Sequence, residues 1–195
     1  PGGNVTGTSS LAAAVVGKQL ELLKLAAPSS TDVATMFNPA NVTFQAQQVN
    51  AAKAASEALG LKLRFLEVRA PSEFEGAFLT VVQEQKGALL ILIDPLFIGN
   101  SKTLAELSVK SHLITMTGYR TFAEAGALMS YGPNYFESYK AAAPYVDKIL
   151  KGDSPADLPI DQSSRFEFVV NMNTAKMLGL EIPASVLGFA SEVIE

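Results

Sequence analysis

The stretch Gly87-Ala-Leu-Leu-Ile-Leu-Ile-Asp94-Pro-Leu-Phe97 decides how the chain is read. Six apolar residues, Ala88 to Ile93, follow a glycine without polar alternation. A strand with one wet face alternates. A run without alternation fits a strand buried on both faces, as in the middle of a parallel sheet. The run ends at a carboxylate, and Pro95 bars the strand from continuing as a regular ladder. A lone acid at the carboxyl end of a central parallel strand stands where open α/β sheets bind ligands.

Upstream of this run, Asp32 to Phe37 predicts a strand ending in Asn38-Pro-Ala-Asn41. A helix follows over about 43–59, with Phe44, Val49 and Leu59 on its buried side and Gly60 as its stop. Leu61 to Val68 alternates for part of its length, which suits a strand nearer the sheet edge. Arg69-Ala-Pro-Ser72 turns into a helix at about 72–85, with Ser72 and Glu75 at capping-box spacing. Downstream, Ser101 or Thr103 starts a helix to about Lys110, and Leu113 to Thr117 predicts a strand ending at Gly118. Strands alternating with helices at this spacing predict a parallel sheet with right-handed crossovers.

The two ends of the chain read differently. Residues 1–10 form a loop rich in glycine and small polar residues. Gly2 and Gly7 have the spacing of a phosphate-binding loop, but Thr8 stands where the lysine is needed. Ser9 or Ser10 can cap a helix over about 11–26, which Pro28 follows. After Gly118 come a short helix (119–127) and a short strand (128–131) closed by Gly132-Pro-Asn. A helix over 135–150 contains Pro144, which predicts a kink or a restart. Beyond the stop at Lys151-Gly-Asp-Ser-Pro155, Arg165 to Asn171 predicts a strand. Asn173 or Thr174 caps a helix to about 178, and a last helix covers about 184–191.

Composition narrows the function classes. The 195 residues are 48% hydrophobic and 17% charged, enough to bury a core of one domain or one and a half. A net charge of −4 leaves no electrostatic footprint for nucleic acid or for an anionic membrane surface. No apolar run reaches the roughly 18 residues of a membrane span. With no cysteine there is no disulfide framework, thiolate nucleophile or Cys-based metal site. The single histidine, His112, lacks the spacing of a metal or general-base motif, and no Gly-x-Ser-x-Gly elbow is present.

Asp94 has three readings. A phosphoacceptor needs acidic neighbours to hold a cation, and the earlier strand ends in Asn38-Pro39-Ala40-Asn41 with no acid. A cap on the following helix is the second reading. An acceptor for a ligand's ammonium, hydroxyl or ring N–H is the third. Asn38, Asn41, Arg69, Tyr119, Arg120, Tyr131 and Asn134 also fall at predicted strand ends, which open on one edge of a parallel sheet. Asn38 and Asn41 can equally be turn residues around Pro39, and Arg69 can pair with Glu67 or Glu73. The two tyrosines offer an aromatic face plus a hydroxyl, or plain half-buried packing.

Several motifs run in order along the whole chain. They are Pro1-Gly-Gly-Asn-Val-Thr-Gly7, Leu20-Glu-Leu-Leu-Lys24, Phe37-Asn-Pro-Ala-Asn41, Asp94-Pro95 and Glu124-Ala-Gly126. Leu128-Met-Ser-Tyr-Gly-Pro-Asn134, Tyr145-Val-Asp-Lys-Ile-Leu-Lys-Gly152 and Pro155-Ala-Asp-Leu-Pro159 complete the series. Together they resemble the tryptophan/tyrosine-type substrate-binding proteins of ABC transporters; Pro144 departs from that pattern. The resemblance implies a type I periplasmic-binding fold, here mainly its second lobe: an α/β/α three-layer lobe around a parallel sheet. It implies that residues 1–118 form that lobe with a leading hinge segment and that residues 119–152 return to a first lobe. Residues 153–195 would cross back. Most of the first lobe would precede Pro1-Gly-Gly and be missing, so the strand near 128–131 and the helix after it would lack their sheet and favour self-association.

On the same resemblance, the chain is a non-enzymatic, periplasmic or otherwise extracytoplasmic solute-binding component of an ABC import system. It would capture an aromatic or branched amino acid in an interlobe cleft and deliver it to a membrane permease, with no cofactor and no nucleic acid. Asn38, Asn41 and Asp94 would line the second-lobe wall, Tyr119 and Arg120 the hinge, and Tyr131 with Asn134 the returning strand. A ligand-sensing regulatory domain of the same fold is the alternative. A Rossmann-like enzyme is a further one, against which stands the missing Gly-x-Gly-x-x-Gly fingerprint.

Overall fold

The computed structural model describes residues 2–9, 11–84, 87–162 and 165–195. In chain order the elements are β1 (Thr8–Ser9), α1 (Val16–Ala26), β2 (Asp32–Phe37), α2 (Val42–Leu59) and β3 (Lys62–Glu67). A 3-10 turn at Pro71–Glu73 leads into α3 (Phe74–Gln83), then β4 (Ala88–Ile91), α4 (Pro95–Ile98), α5 (Ser101–Lys110) and β5 (Ile114–Thr117). Next come α6 (Arg120–Glu124), β6 (Met129–Pro133) and α7 (Tyr135–Leu150), and a second 3-10 turn at Pro155–Asp157. The chain closes with β7 (Asp161–Gln162), β8 (Phe166–Asn171), α8 (Met172–Met177), α9 (Ala184–Leu187) and β9 (Glu192–Ile194).

One sheet carries seven strands in the order β3-β2-β4-β5-β6-β8-β9. The pairs β2–β3, β2–β4, β4–β5, β5–β6 and β8–β9 are parallel. β4 lies inside the sheet, and every residue from Ala88 to Asp94 is buried. Its side chains divide by parity. Ala88, Leu90 and Leu92 join the core under α1, with Val16, Leu20 and Leu23. Leu89 and Ile91 join the opposite core with Phe74, Phe78 and Val81 of α3 and Leu104 of α5. Two dry faces explain the missing alternation, and each large side chain so buried contributes about 1.5–3 kcal/mol. β3 is one of the two edge strands, with Lys62, Arg64 and Glu67 exposed, as its partial alternation predicts.

The chain divides into two compact units. The larger, residues 12–132 and 167–195, holds the seven-stranded sheet and its helices. The smaller comprises residues 1–11 and 133–166. In the smaller unit β1 pairs in parallel with β7, and the Thr6 hydroxyl donates to the Leu158 carbonyl at 3.0 Å. α7 buries none of its residues there; Phe136, Tyr139, Val146 and Leu150 are all exposed, and their spacing places them along one stripe.

Several expectations are corrected. The strand expected to stand without its sheet is β6, and it pairs with β5 through Met116↔Met129 and Thr117↔Ser130. Met129 and Ser130 are fully buried there, so the change of unit comes at Gly132–Pro133 rather than near residue 119. α7 does not restart at Pro144: it is one helix from Tyr135 to Leu150, and an exposed helix can give up one hydrogen bond to proline without ending. Ser9 pairs with Gln162 in β1 and caps nothing, and α1 begins only at Val16. Ser10, the other candidate cap, and Gln85, the expected end of α3, lie outside the described residues. Ser72 makes no cap, because the first turn is 3-10 around Pro71. Asn171, not Asn173 or Thr174, caps α8 through its Oδ1 on the Thr174 N–H at 3.1 Å. The last helix is only Ala184–Leu187, and Glu192–Ile194 continues as β9 beside β8.

Candidate functional site

Asp94 leaves the carboxyl end of β4 in extended conformation and is only 2% exposed. A carboxylate that deep must be met by donors on every lone pair within reach. Four arrive. Asn38 Nδ2 donates to Oδ1 at 3.0 Å, and the Leu96 N–H donates to the same oxygen at 2.9 Å. Asn41 Nδ2 and Gln45 Nε2 each donate to Oδ2 at 3.1 Å. The Leu96 bond is the N-cap of α4, so the capping reading of Asp94 holds. The three amides come from the loop after β2 and the first turn of α2, which the parallel β2–β4 pairing brings alongside.

Two glutamines that sequence reasoning missed anchor this corner. Gln48 closes a ring with the backbone of Ile93, accepting from its N–H at 2.9 Å and donating to its carbonyl at 2.8 Å. Gln45 Nε2 reaches that carbonyl at 2.9 Å as well. α2 therefore buries Gln45, Gln48, Ala52 and Ser56, while Phe44, Val49 and Leu59 are only partly buried. Their i, i+3, i+7, i+11 spacing was the available signal. Apolar weighting points to the neighbouring face instead. Gln19 of α1 does the same service further along, donating to the Tyr131 carbonyl at 2.7 Å.

The remaining expected site residues are used variously. Arg120 binds three carboxylates at once: Glu124 at 2.8 Å, Glu167 at 3.1 Å and Glu192 at 2.7 Å. The hydrogen bonds it donates to Glu124 and Glu192, in that order, raise its affinity for the proton above its already high ordinary value. It ties α6 to β8 and β9. Tyr119 is half-buried against the α3–α5 side of the core. Tyr131 packs edge-on against Phe168, ring centroids 6.4 Å apart. Asn134, in the smaller unit, caps α7 through its Oδ1 on the Glu137 N–H at 3.0 Å. Arg69 pairs with Glu67 at 2.6 Å on the surface. His112 is exposed in left-handed conformation after α5. No cluster of three metal-ligating side chains occurs among the described residues.

The amides and the buried carboxylate gather at the carboxyl ends of parallel strands, the edge at which open α/β sheets bind ligands. Residues 1–194 match the family described as ABC transporter substrate binding protein, and the chain belongs to that family. Its fold is of the periplasmic-binding type I kind. The "Tyrosine-binding protein" of Clostridioides difficile (strain R20291) is 23% identical over 181 residues, 93% of this chain and 51% of that protein. A crystal structure of an ABC domain in complex with L-Trp from Streptococcus pneumonia superposes with a TM-score of 0.89 at 27% identity, covering 100% of this chain and 64% of that one. A ligand-free, open substrate-binding protein with adhesive properties from Clostridium difficile gives 0.71 at 28% identity, with the same coverage. The chain thus spans about half the length of the curated relative and under two thirds of these structures. No described helix is long and apolar enough to cross a membrane.

Proposed function

We propose that this chain supplies one wall of an amino-acid-binding cleft in a non-enzymatic, extracytoplasmic receptor that serves an ABC import permease. The observation that carries this reading is the Asn38–Asn41–Asp94 cluster at the ends of β2 and β4 in a chain of this family. Two relatives point to the ligand class, one named for tyrosine and one holding L-Trp. Tyr119 and Tyr131 would supply aromatic surface near the wall, and Arg120 would hold the hinge-side elements in place rather than meet the ligand. Capture would follow from a closed form that contacts the ligand on both walls and so binds it better than the open form. Calorimetry of the protein in its natural length against L-tryptophan, L-tyrosine, L-leucine and ribose tests this. Saturable binding of at least one of the amino acids is expected, and binding of ribose alone would defeat the reading.

The facing wall would come from a lobe that residues 133–152 join. In that arrangement the α7 stripe of Phe136, Tyr139, Val146 and Leu150 is the surface to be covered. The 195-residue chain by itself is then expected to self-associate through α7. Sedimentation should show dimers or larger species that Phe136→Ser with Leu150→Ser returns to monomer. A monomeric wild-type chain at high micromolar concentration would refute that expectation.

A further inference from the structure

Asn41 departs from the habit of its position. It is the N-cap residue of α2, where asparagine ordinarily turns its side-chain oxygen onto the first helical N–H groups. Here it makes no such cap. Asp94 offers only oxygen, so the Asn41 carboxamide must present its NH2 end inward, at 3.1 Å from Oδ2. The opposite flip would set oxygen against oxygen. The amide is planar, so fixing Nδ2 on Asp94 turns Oδ1 away from it. Among the described residues no donor reaches that oxygen, and it is not among the atoms sealed from solvent. Asn38 differs: its Nδ2 also goes to Asp94, but its Oδ1 accepts from the Ala40 N–H at 3.0 Å. Gln45 Oε1 also lacks a partner but is sealed from solvent, so Asn41 Oδ1 is the unspent acceptor of the cluster that a ligand can reach.

We propose that Asn41 is the specificity-determining residue of this wall: Asp94, buried behind it, fixes the carboxamide so that Oδ1 accepts from a donor group of the ligand. Asp94 itself does not touch the ligand. The local charge favours a cationic donor. The α2 terminus carries about +0.5 of a charge, and the carboxylate one amide away outweighs it with about −1. An ammonium is the first source of the donor; an indole N–H is the second. The inference rests on the amino-acid reading above and assigns which atom of this wall discriminates among ligands.

Two measurements on the natural-length protein test it. The first needs no ligand: a scalar coupling across the hydrogen bond from Asn41 Nδ2 to the Asp94 carboxyl carbon is expected in isotope-labelled protein, and its absence overturns the orientation. The second compares Asn41→Ala with wild type in affinity for L-tryptophan, L-phenylalanine, indole-3-propionate and 3-phenylpropionate. The variant should lose about tenfold, equivalent to ~1.4 kcal/mol, for ligands that carry the donor. It should lose nothing for 3-phenylpropionate, which carries neither donor. Loss shared by both amino acids but not by indole-3-propionate assigns the ammonium. Loss confined to L-tryptophan and indole-3-propionate assigns the ring N–H. Unchanged affinity throughout, or equal loss for all four, overturns the proposal. Wild type that binds none of the four defeats the ligand half of this inference, and the amino-acid reading falls with it if L-tyrosine and L-leucine fail to bind as well; the coupling still decides the orientation.

Discussion

Gly132→Ala is expected to destabilise the protein by at least about 3 kcal/mol, the largest loss among its glycine-to-alanine changes. A Cβ at position 132 would lie 2.0 Å from the Gly118 carbonyl oxygen and 2.9 Å from its carbonyl carbon. Both partners are backbone at the carboxyl ends of neighbouring strands, β5 and β6, so neither can swing away. Gly118→Ala is the internal comparison. Its Cβ would meet Ile93 Cγ1 at 2.2 Å and Cδ1 at 2.4 Å, atoms of a side chain rather than of the backbone. Its cost should be smaller, about 1–2 kcal/mol. Urea unfolding of both variants checks the order. A Gly132→Ala protein within about 0.5 kcal/mol of wild type would mean that the two strand ends part more easily than their pairing shows.

Asp94→Ala is expected to cost about 3 kcal/mol of stability, quite apart from any effect on binding. Four donors lose their acceptor together: the Leu96 cap and the amides of Asn38, Asn41 and Gln45. The half-exposed asparagines can turn to water, but Gln45 is 1% exposed and retains only the Ile93 carbonyl. At about 2–4 °C per kcal/mol for a chain of this size, the melting temperature should fall by roughly 6–12 °C. Asp94→Asn keeps the volume and one oxygen and should lose about half as much. An Asp94→Ala protein that melts with wild type would show that these amides do not depend on the carboxylate.

What could be read in advance followed from periodicity and punctuation. The unalternating run from Ala88 marks a strand with two dry faces, and the partial alternation of Leu61 to Val68 marks an edge. Both readings depend only on which face water touches. Short or mixed elements escaped: Glu192–Ile194 is three residues beginning with an exposed acid, and it becomes a strand only because β8 lies alongside. The buried face of α2 escaped because its glutamines look like surface residues until the backbone of Ile93 is there to receive them.

The sequence by itself determined the fold class, the strand order's alternation with helices, the central place of β4 and the family, because these rest on burial patterns and on motifs in linear order. It also brought Asn38, Asn41 and Asp94 to one edge of the sheet. Only the tertiary structure decided what Asp94 does. Its four partners come from positions 38, 41, 45 and 96, and three of them reach it only across the β2–β4 pairing. A carboxylate that reads alone in the chain is saturated in the fold, and its burial passes the free acceptor to Asn41.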